Sequence, residues 1–298
     1  MELIVTPFTI EDFSPLSAAD AYLIGNDNYG VRLAASFNLD GFEACVSKAH
    51  NLGKRLYVNV NKVFTQSEIQ SVTPFLEYLK EIEVDGIFFS DFGVYTIAKR
   101  IGIANLLIYN SETQLVNPLD VEFMNSLGLQ GQLISKDVTL KDIQAINPKQ
   151  GDIGMTIYGY YHLFYSKRKL VSAYFEKYLR DPTPYLNDYH LTIRELERKE
   201  NLGIIEDNNG TNILSGEILN GVDYIADFIK QGYSLFLIDG IFENCTYLQT
   251  LLTIFRSSIN GEKNCLDKLE KLYPDHHYGT GFYKRKLTIK DKEEMPHV

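Results

Sequence analysis

The feature that most limits how this chain can fold is a recurrence of eight short apolar runs. Most of them close on a small, polar or charged residue before a stretch with helical periodicity. They span residues 3–7 (LIVTP), 21–25 (AYLIG), 56–61 (LYVNVN), 86–91 (GIFFSD), 106–110 (LLIYN), 132–136 (QLISK), 153–159 (IGMTIYG) and 235–239 (LFLID). A strand with one wet face alternates apolar and polar residues. A near-continuous apolar run needs cover on both faces, as in a parallel sheet flanked by helices. Eight such strands predict an α/β fold, a TIM-barrel-like (β/α)8 barrel, whose chemistry sits at the strand C-terminal ends. The residues that close the runs are therefore the first candidates for function.

The segments between the runs support this reading. Phe42, Cys45, Val46, Ala49 and Leu52 fall at helical spacing before Gly53, a C-terminal cap residue. Ile69, Val72, Phe75, Leu76, Leu79 and Ile82 repeat the pattern before Gly86, and Val222, Ile225 and Ile229 do so before Gly232. The regularity breaks once, over 160–232, a stretch too long for one strand-to-helix connection. Residues 170–179 read as a helix stopped by Asp181-Pro182-Thr183-Pro184, and 190–196 alternate weakly like an edge strand. Residues 204–207 and 211–214 flank Asn208-Asn209-Gly210, a hairpin signal because Asn-Gly accepts positive φ. The expectation is one barrel domain over 1–298. Residues 160–232 form an insertion within it, a helix plus a small antiparallel β-hairpin between strands seven and eight. Helices at 247–258 and 262–272 and a polar tail from Lys284 complete the chain.

The bulk numbers exclude several function classes. A net charge of −10 argues against a broad basic face for nucleic acid, although it leaves room for a local basic patch. Three scattered cysteines without a C-x-x-C pair fit a reducing compartment and no all-cysteine metal site. The N-terminus lacks a basic leader and no apolar run is long enough to span a bilayer, so a cytoplasmic protein without membrane contact is expected. Phosphate-loop, zinc-protease, nucleophile-elbow and dinucleotide motifs are absent. The six histidines show no ligand spacing; His276 and His277 read as a solvated loop pair, and no metal site or bound cofactor is expected.

The strand ends supply a ring of carboxylates, amides and a lysine that suits acid–base work or a polar ligand. Glu112, Lys136, Asp137 and His162 are the candidate catalytic residues. Asn59, Asn61, Asp91, Asn110, Tyr158 and Asp239 are the candidate substrate-binding residues. Asp91 and Asp137 fit a second role equally, as caps of the following helices. Lys167, Arg168 and Lys169 form the densest basic run. They follow Tyr160, Tyr161, Phe164 and Tyr165, so they are candidates for RNA contact, the rings stacking bases. Lys284-Arg285-Lys286 after Thr280-Gly281-Phe282-Tyr283 is a second such group. A solvated charged face is the competing explanation for both.

The chain resembles the collagenase-like peptidase family, whose catalytic type is unassigned. Matching pieces run in order over nearly the whole length: ELIVTP, KRLYVNVN, VDGIFFSD followed by Gly93, NSETQLVN, ISKDVTLKDI, EDNNGTNILS, GYSLFLIDG and TGFY. The likeness is greatest to the short branch found beside a longer paralogue in Gram-positive bacteria. The resemblance implies a barrel and two activities: peptide hydrolysis, or hydroxylation of RNA pyrimidines at C5, including the tRNA wobble uridine. For the second it implies prephenate, a small carboxylate, as co-requirement, with tRNA and the longer paralogue as partners. Some relatives carry an iron–sulfur cluster on cysteines of a G-x-x-C-x-x-x-S-G-x-C segment. Here His162 and Lys169 stand at those cysteine positions, so no cluster is expected. The family's Arg-Glu after strand six is Lys136-Asp137. The expected function is tRNA hydroxylation, alone or as a subunit; the alternatives are a peptidase and a non-catalytic scaffold.

Overall fold

The computed structural model describes residues 1–146, 148, 151–178, 180–186, 191–194, 196 and 201–284. The parts of the basic run at 284–286 and of the weak strand at 190–196 that fall outside these ranges lie outside the described residues.

Eight parallel strands close on themselves. They are β1 (Glu2–Val5), β2 (Ala21–Gly25), β3 (Arg55–Val60), β4 (Gly86–Phe89), β5 (Leu107–Tyr109), β6 (Gly131–Leu133), the first part of β7 (Asp152–Ser166), and β11 (Leu235–Ile238), which pairs with both β7 and β1. The eight apolar runs are these eight strands. Both faces are covered, which is why the runs do not alternate. Inward residues Ile4, Leu23, Tyr57, Phe88, Ile108, Leu133, Leu235 and Leu237 fill the barrel, while a larger cluster packs between strands and helices. The Tyr57 hydroxyl donates to Glu2 at 2.7 Å and closes the N-terminal end, the stabilising end of such barrels.

The helices follow the predicted spacing: α1 (Phe42–Asn51), α2 (Val72–Glu81), α3 (Phe92–Arg100), α4 (Pro118–Asn125), α5 (Leu140–Ile146), α6 (Leu170–Lys177), α7 (Ile225–Lys230), α8 (Cys245–Ile259) and α9 (Cys265–Leu272). No helix among the described residues is long and apolar enough to cross a membrane.

The seventh run does not stop at residue 159. β7 continues to Ser166, leaves the barrel, and pairs antiparallel with β10 (Gly210–Asn220). β10 pairs antiparallel with β9 (Leu202–Asp207) across Asn208-Asn209, β9 pairs with β8 (Thr192–Ile193), and β12 (Tyr278–Gly279) adds to β10. Gly210 has φ +134°, and a Cβ there would lie 2.1 Å from the Ser166 carbonyl oxygen, so only glycine lets the hairpin approach β7. This antiparallel sheet leans over the barrel mouth. Asn209 Nδ2 donates to the Asp27 carbonyl at 2.9 Å, tying the hairpin tip to the loop after β2.

Candidate functional site

Parallel strands place all their C-terminal ends on one side, so Asn61, Asp91, Glu112, Lys136 and Asp239 share the barrel mouth. A cavity of about 50 Å³ opens there, bordered by Arg32, Asn59, Asn110, Glu112, Lys136, Tyr160, His162 and Asp239, with Leu33, Leu214 and Ile241 as its apolar wall. That volume holds a few waters or a small polar group.

Glu112 is the centre of the cluster. Its Oε1 accepts from Arg32 Nη2 at 2.6 Å and Nε at 3.2 Å, and its Oε2 accepts from Lys136 Nζ at 3.0 Å. His162 Nδ1 stands 3.9 Å from Oε2. Burial alone would raise the Glu112 carboxyl, but Arg32, Lys136 and His162 outweigh it and hold the group well below the usual carboxylate range. Burial, reinforced by Arg32 and Lys136, pushes His162 down to about 4, so its ring is neutral at pH 7. Its Nε2 is buried and has no hydrogen-bond partner among the described residues. Burial lifts Asp239 to about 6, with Glu112 adding to the effect and the Ile241 N–H, Lys136 and Arg32 opposing it. The cavity therefore combines two fixed cations, one permanent carboxylate, a neutral imidazole and a carboxyl that exchanges protons near neutrality.

Backbone strain collects at the same mouth. Among the described residues six non-glycine residues have positive φ, and four of them, Arg32 (53°), Glu112 (66°), Leu115 (65°) and Phe242 (69°), lie in loops after barrel strands. Such conformations persist only where the surroundings over-determine them, and they concentrate at functional sites. The over-determination is visible. The Glu112 carbonyl accepts from Ser135 Oγ at 3.3 Å and from the Lys136 N–H at 3.4 Å. Asn61 Oδ1 accepts from the Val31 N–H at 2.9 Å and its Nδ2 donates to the Val31 carbonyl at 3.2 Å, which holds the residue before Arg32.

Of the sequence candidates, Asn59, Asn61, Asn110, Glu112, Lys136, His162 and Asp239 border the cavity. Asn61 is spent on Val31, so it positions Arg32 instead of meeting a substrate. The others are placed elsewhere. Asp91 caps α3 through the Gly93 N–H (2.7 Å) and accepts from the Phe64 N–H (2.9 Å). Asp137 is exposed and absent from the cavity wall, and α5 is capped instead by Thr139 with Asp142. Tyr158 is buried on the outer side, donating to Glu243 Oε1 (2.6 Å) and contacting the Tyr247 hydroxyl (3.0 Å). The reason is a bulge: Leu237 pairs with Thr156 but Ile238 with Tyr158, and the extra residue flips the alternation. Lys167, Arg168 and Lys169 follow the end of the extended β7 and do not border the cavity; Lys167 Nζ is 3.7 Å from Glu68, in the loop after β3. Of the His276-His277 pair, His277 is exposed, while His276 is half-buried, stacking on Tyr247 at 4.6 Å and meeting Glu243 at 3.2 Å.

Arg32 escaped the sequence reading. Its signal was the long stretch between the second run and α1, an unusually large loop on the face that carries chemistry.

Among the described residues the cysteines are not gathered to hold a metal cluster. Cys45 and Cys265 are buried in α1 and α9, Cys245 begins α8, and among the described residues no group of three or more His, Cys, Asp and Glu is disposed to hold a metal.

The fold and this cavity define a (β/α)8-barrel protein with a cluster of charged side chains at the strand C-terminal ends. The chain belongs to Peptidase family U32, whose model matches residues 15–293. It is similar to the tRNA hydroxylation protein P2 of Bacillus subtilis (strain 168), 27% identical over 95% of this chain and 97% of that protein. The tRNA hydroxylation protein P of Escherichia coli (strain K12) is 23% identical over 90% of this chain and 70% of its own length. An uncharacterized protease of Methanocaldococcus jannaschii is 24% identical over 90% and 69%. Among solved structures the U32 peptidase Mk0906 shares the fold, with a TM-score of 0.50 at 13% identity over 80% of this chain and 92% of that one.

Proposed function

We propose that this protein takes part in tRNA hydroxylation, with the barrel-mouth cavity holding a small carboxylate co-substrate. The observation that carries this is the likeness to protein P2 across almost the full length of both chains. The cavity supports it. Arg32 and Lys136 are aimed at one carboxylate already, that of Glu112, and a ligand carboxylate such as prephenate would share or replace it on the same cations. Asp239, titrating near neutrality, and the open Nε2 of His162 are the groups available to move a proton. The longer paralogue that the resemblance implies would be the partner.

A peptidase is less well supported. Among the described residues no serine or cysteine borders the cavity, its hydroxyl-bearing side chains being Thr6, Thr156 and Tyr160, and the carboxylate beside His162 is Glu112. The test is genetic and chemical. Deleting the gene should lower the hydroxylated nucleosides in tRNA digests read by mass spectrometry, and wild-type protein should restore them. Arg32→Ala and Glu112→Gln should restore little. Full restoration by both variants would remove the cavity from the reaction.

A further inference from the structure

Helix α6 presents a surface that the cavity does not use. Val171 and Phe175 are buried, and Phe175 stacks on Tyr185 with ring centroids 3.9 Å apart, which seats one edge of the helix. The adjoining stripe, Leu170, Tyr174 and Tyr178 at four-residue spacing, faces outward, with Tyr174 59% and Tyr178 55% exposed. Their rings are 5.0 Å apart, and Lys177 Nζ lies 5.7 Å from the Tyr178 ring. The stripe is rigidly mounted. The buried carboxylate of Glu206 accepts from the Val171 N–H (2.8 Å), the Ser172 N–H (3.1 Å) and the Ser172 hydroxyl, and Thr211 Oγ1 accepts from the Leu170 N–H (2.9 Å).

Charge sets this stripe apart. Residues 166–180 carry Lys167, Arg168, Lys169, Lys177 and Arg180 against the single acid Glu176, in a chain of net charge −10. Asp181, next along, accepts from the Thr183 N–H at 3.0 Å within its own turn. Lys167 meets Glu68; the other four cations pair with no carboxylate among the described residues.

We infer that the α6 stripe is an RNA-docking surface, stacking unpaired bases on Tyr174 and Tyr178 while Arg168, Lys169, Lys177 and Arg180 meet phosphates. This rests on the tRNA reading above and adds where the RNA is held. RNA is repelled by the chain as a whole, so contact demands a local density of cations. Open aromatic faces beside such cations are what unstacked bases use. A membrane is a poorer occupant, because an eight-residue helix with one aliphatic side chain on its exposed stripe offers little area for insertion.

The full chain is titrated with an unmodified tRNA transcript, with melting temperature recorded for every variant. Tyr174→Ala/Tyr178→Ala should weaken binding on the order of tenfold or more. Lys177→Ala/Arg180→Ala should reduce the slope of log affinity against log salt by about 1.5. Leu119→Ala, an exposed position on α4, should leave both unchanged. Unchanged affinity and slope in both α6 variants, or a wild-type chain that binds no tRNA, overturns the surface. So does loss of self-association in sedimentation with tRNA affinity intact, which would assign the stripe to a protein partner. For any variant whose melting temperature drops, Tyr174→Ser/Tyr178→Ser or Lys177→Gln/Arg180→Gln, polar replacements at the same exposed positions, is titrated in its place and read by the same criteria. Failure of the functional reading is seen separately, as a gene deletion that leaves tRNA hydroxylation unaltered.

Discussion

Replacing Glu112 tests whether the mouth is organised by its ion cluster. In Glu112→Ala, Arg32 and Lys136 remain with side chains only 15% and 7% exposed and no carboxylate between them. Removing one partner of a buried pair costs about 3–5 kcal/mol in general. Both cations keep some exposure at the cavity, so solvent screening lowers the expectation to about 2–4 kcal/mol. Part of any change comes from the backbone, since residue 112 sits at φ +66°. A non-glycine residue pays about 1–2 kcal/mol there, offset in part by the greater freedom of glycine in the unfolded chain. Glu112→Gly should therefore be more stable than Glu112→Ala by about 1 kcal/mol, although both lose the carboxylate. Urea unfolding of the three proteins at pH 7 measures both differences. The sign of the pH effect is also set. Glu112 titrates lower folded than unfolded, so its contribution is full above the unfolded value of 4.5 and is lost as pH falls below it. The reasoning is refuted if Glu112→Ala lies within about 0.5 kcal/mol of wild type, or if the glycine variant is the less stable of the two.

Further outcomes follow from single contacts. Asn61→Ala leaves the buried Val31 N–H and carbonyl unpaired and should cost about 2 kcal/mol in urea unfolding. His162 is depressed from 6.5 to about 4, so the unfolded chain takes the proton first and wild type loses stability as pH falls through that window; Asp239, raised from 3.8 to about 6, acts the other way. His162→Gln removes only the first effect, so its melting temperature should gain on wild type between pH 7 and pH 5. A constant difference would contradict the assignment. At Gly154 a Cβ would stand 1.8 Å from the Leu235 carbonyl oxygen, where β7 and β11 close the barrel. Gly154→Ala should cost more than about 3 kcal/mol or prevent folding, judged by soluble yield and melting temperature.

The barrel was legible in the residues because burial on both faces leaves a mark that needs no partner to be read: continuous apolar runs, helical spacing between them, and glycine where helices end. Strand parallelism then brought Glu112, Lys136, Asn59, Asn110 and Asp239 to one mouth without further information. What needed the tertiary structure was direction and pairing. Tyr158 faces outward because one bulged residue against β11 reverses the alternation, and nothing in the seventh run signals it. β7 runs on to Ser166 because β10, more than forty residues later, supplies its hydrogen bonds. Asp91 and Asp137 had two roles open to them, and local geometry assigned a cap to the first and solvent to the second. Arg32 joined Glu112 across 80 positions of sequence, with both residues held in left-handed backbone by neighbours that only folding brings together. Composition and period record which residues are buried. The partner each one meets is decided by register and loop path, which depend on contacts distant in the chain.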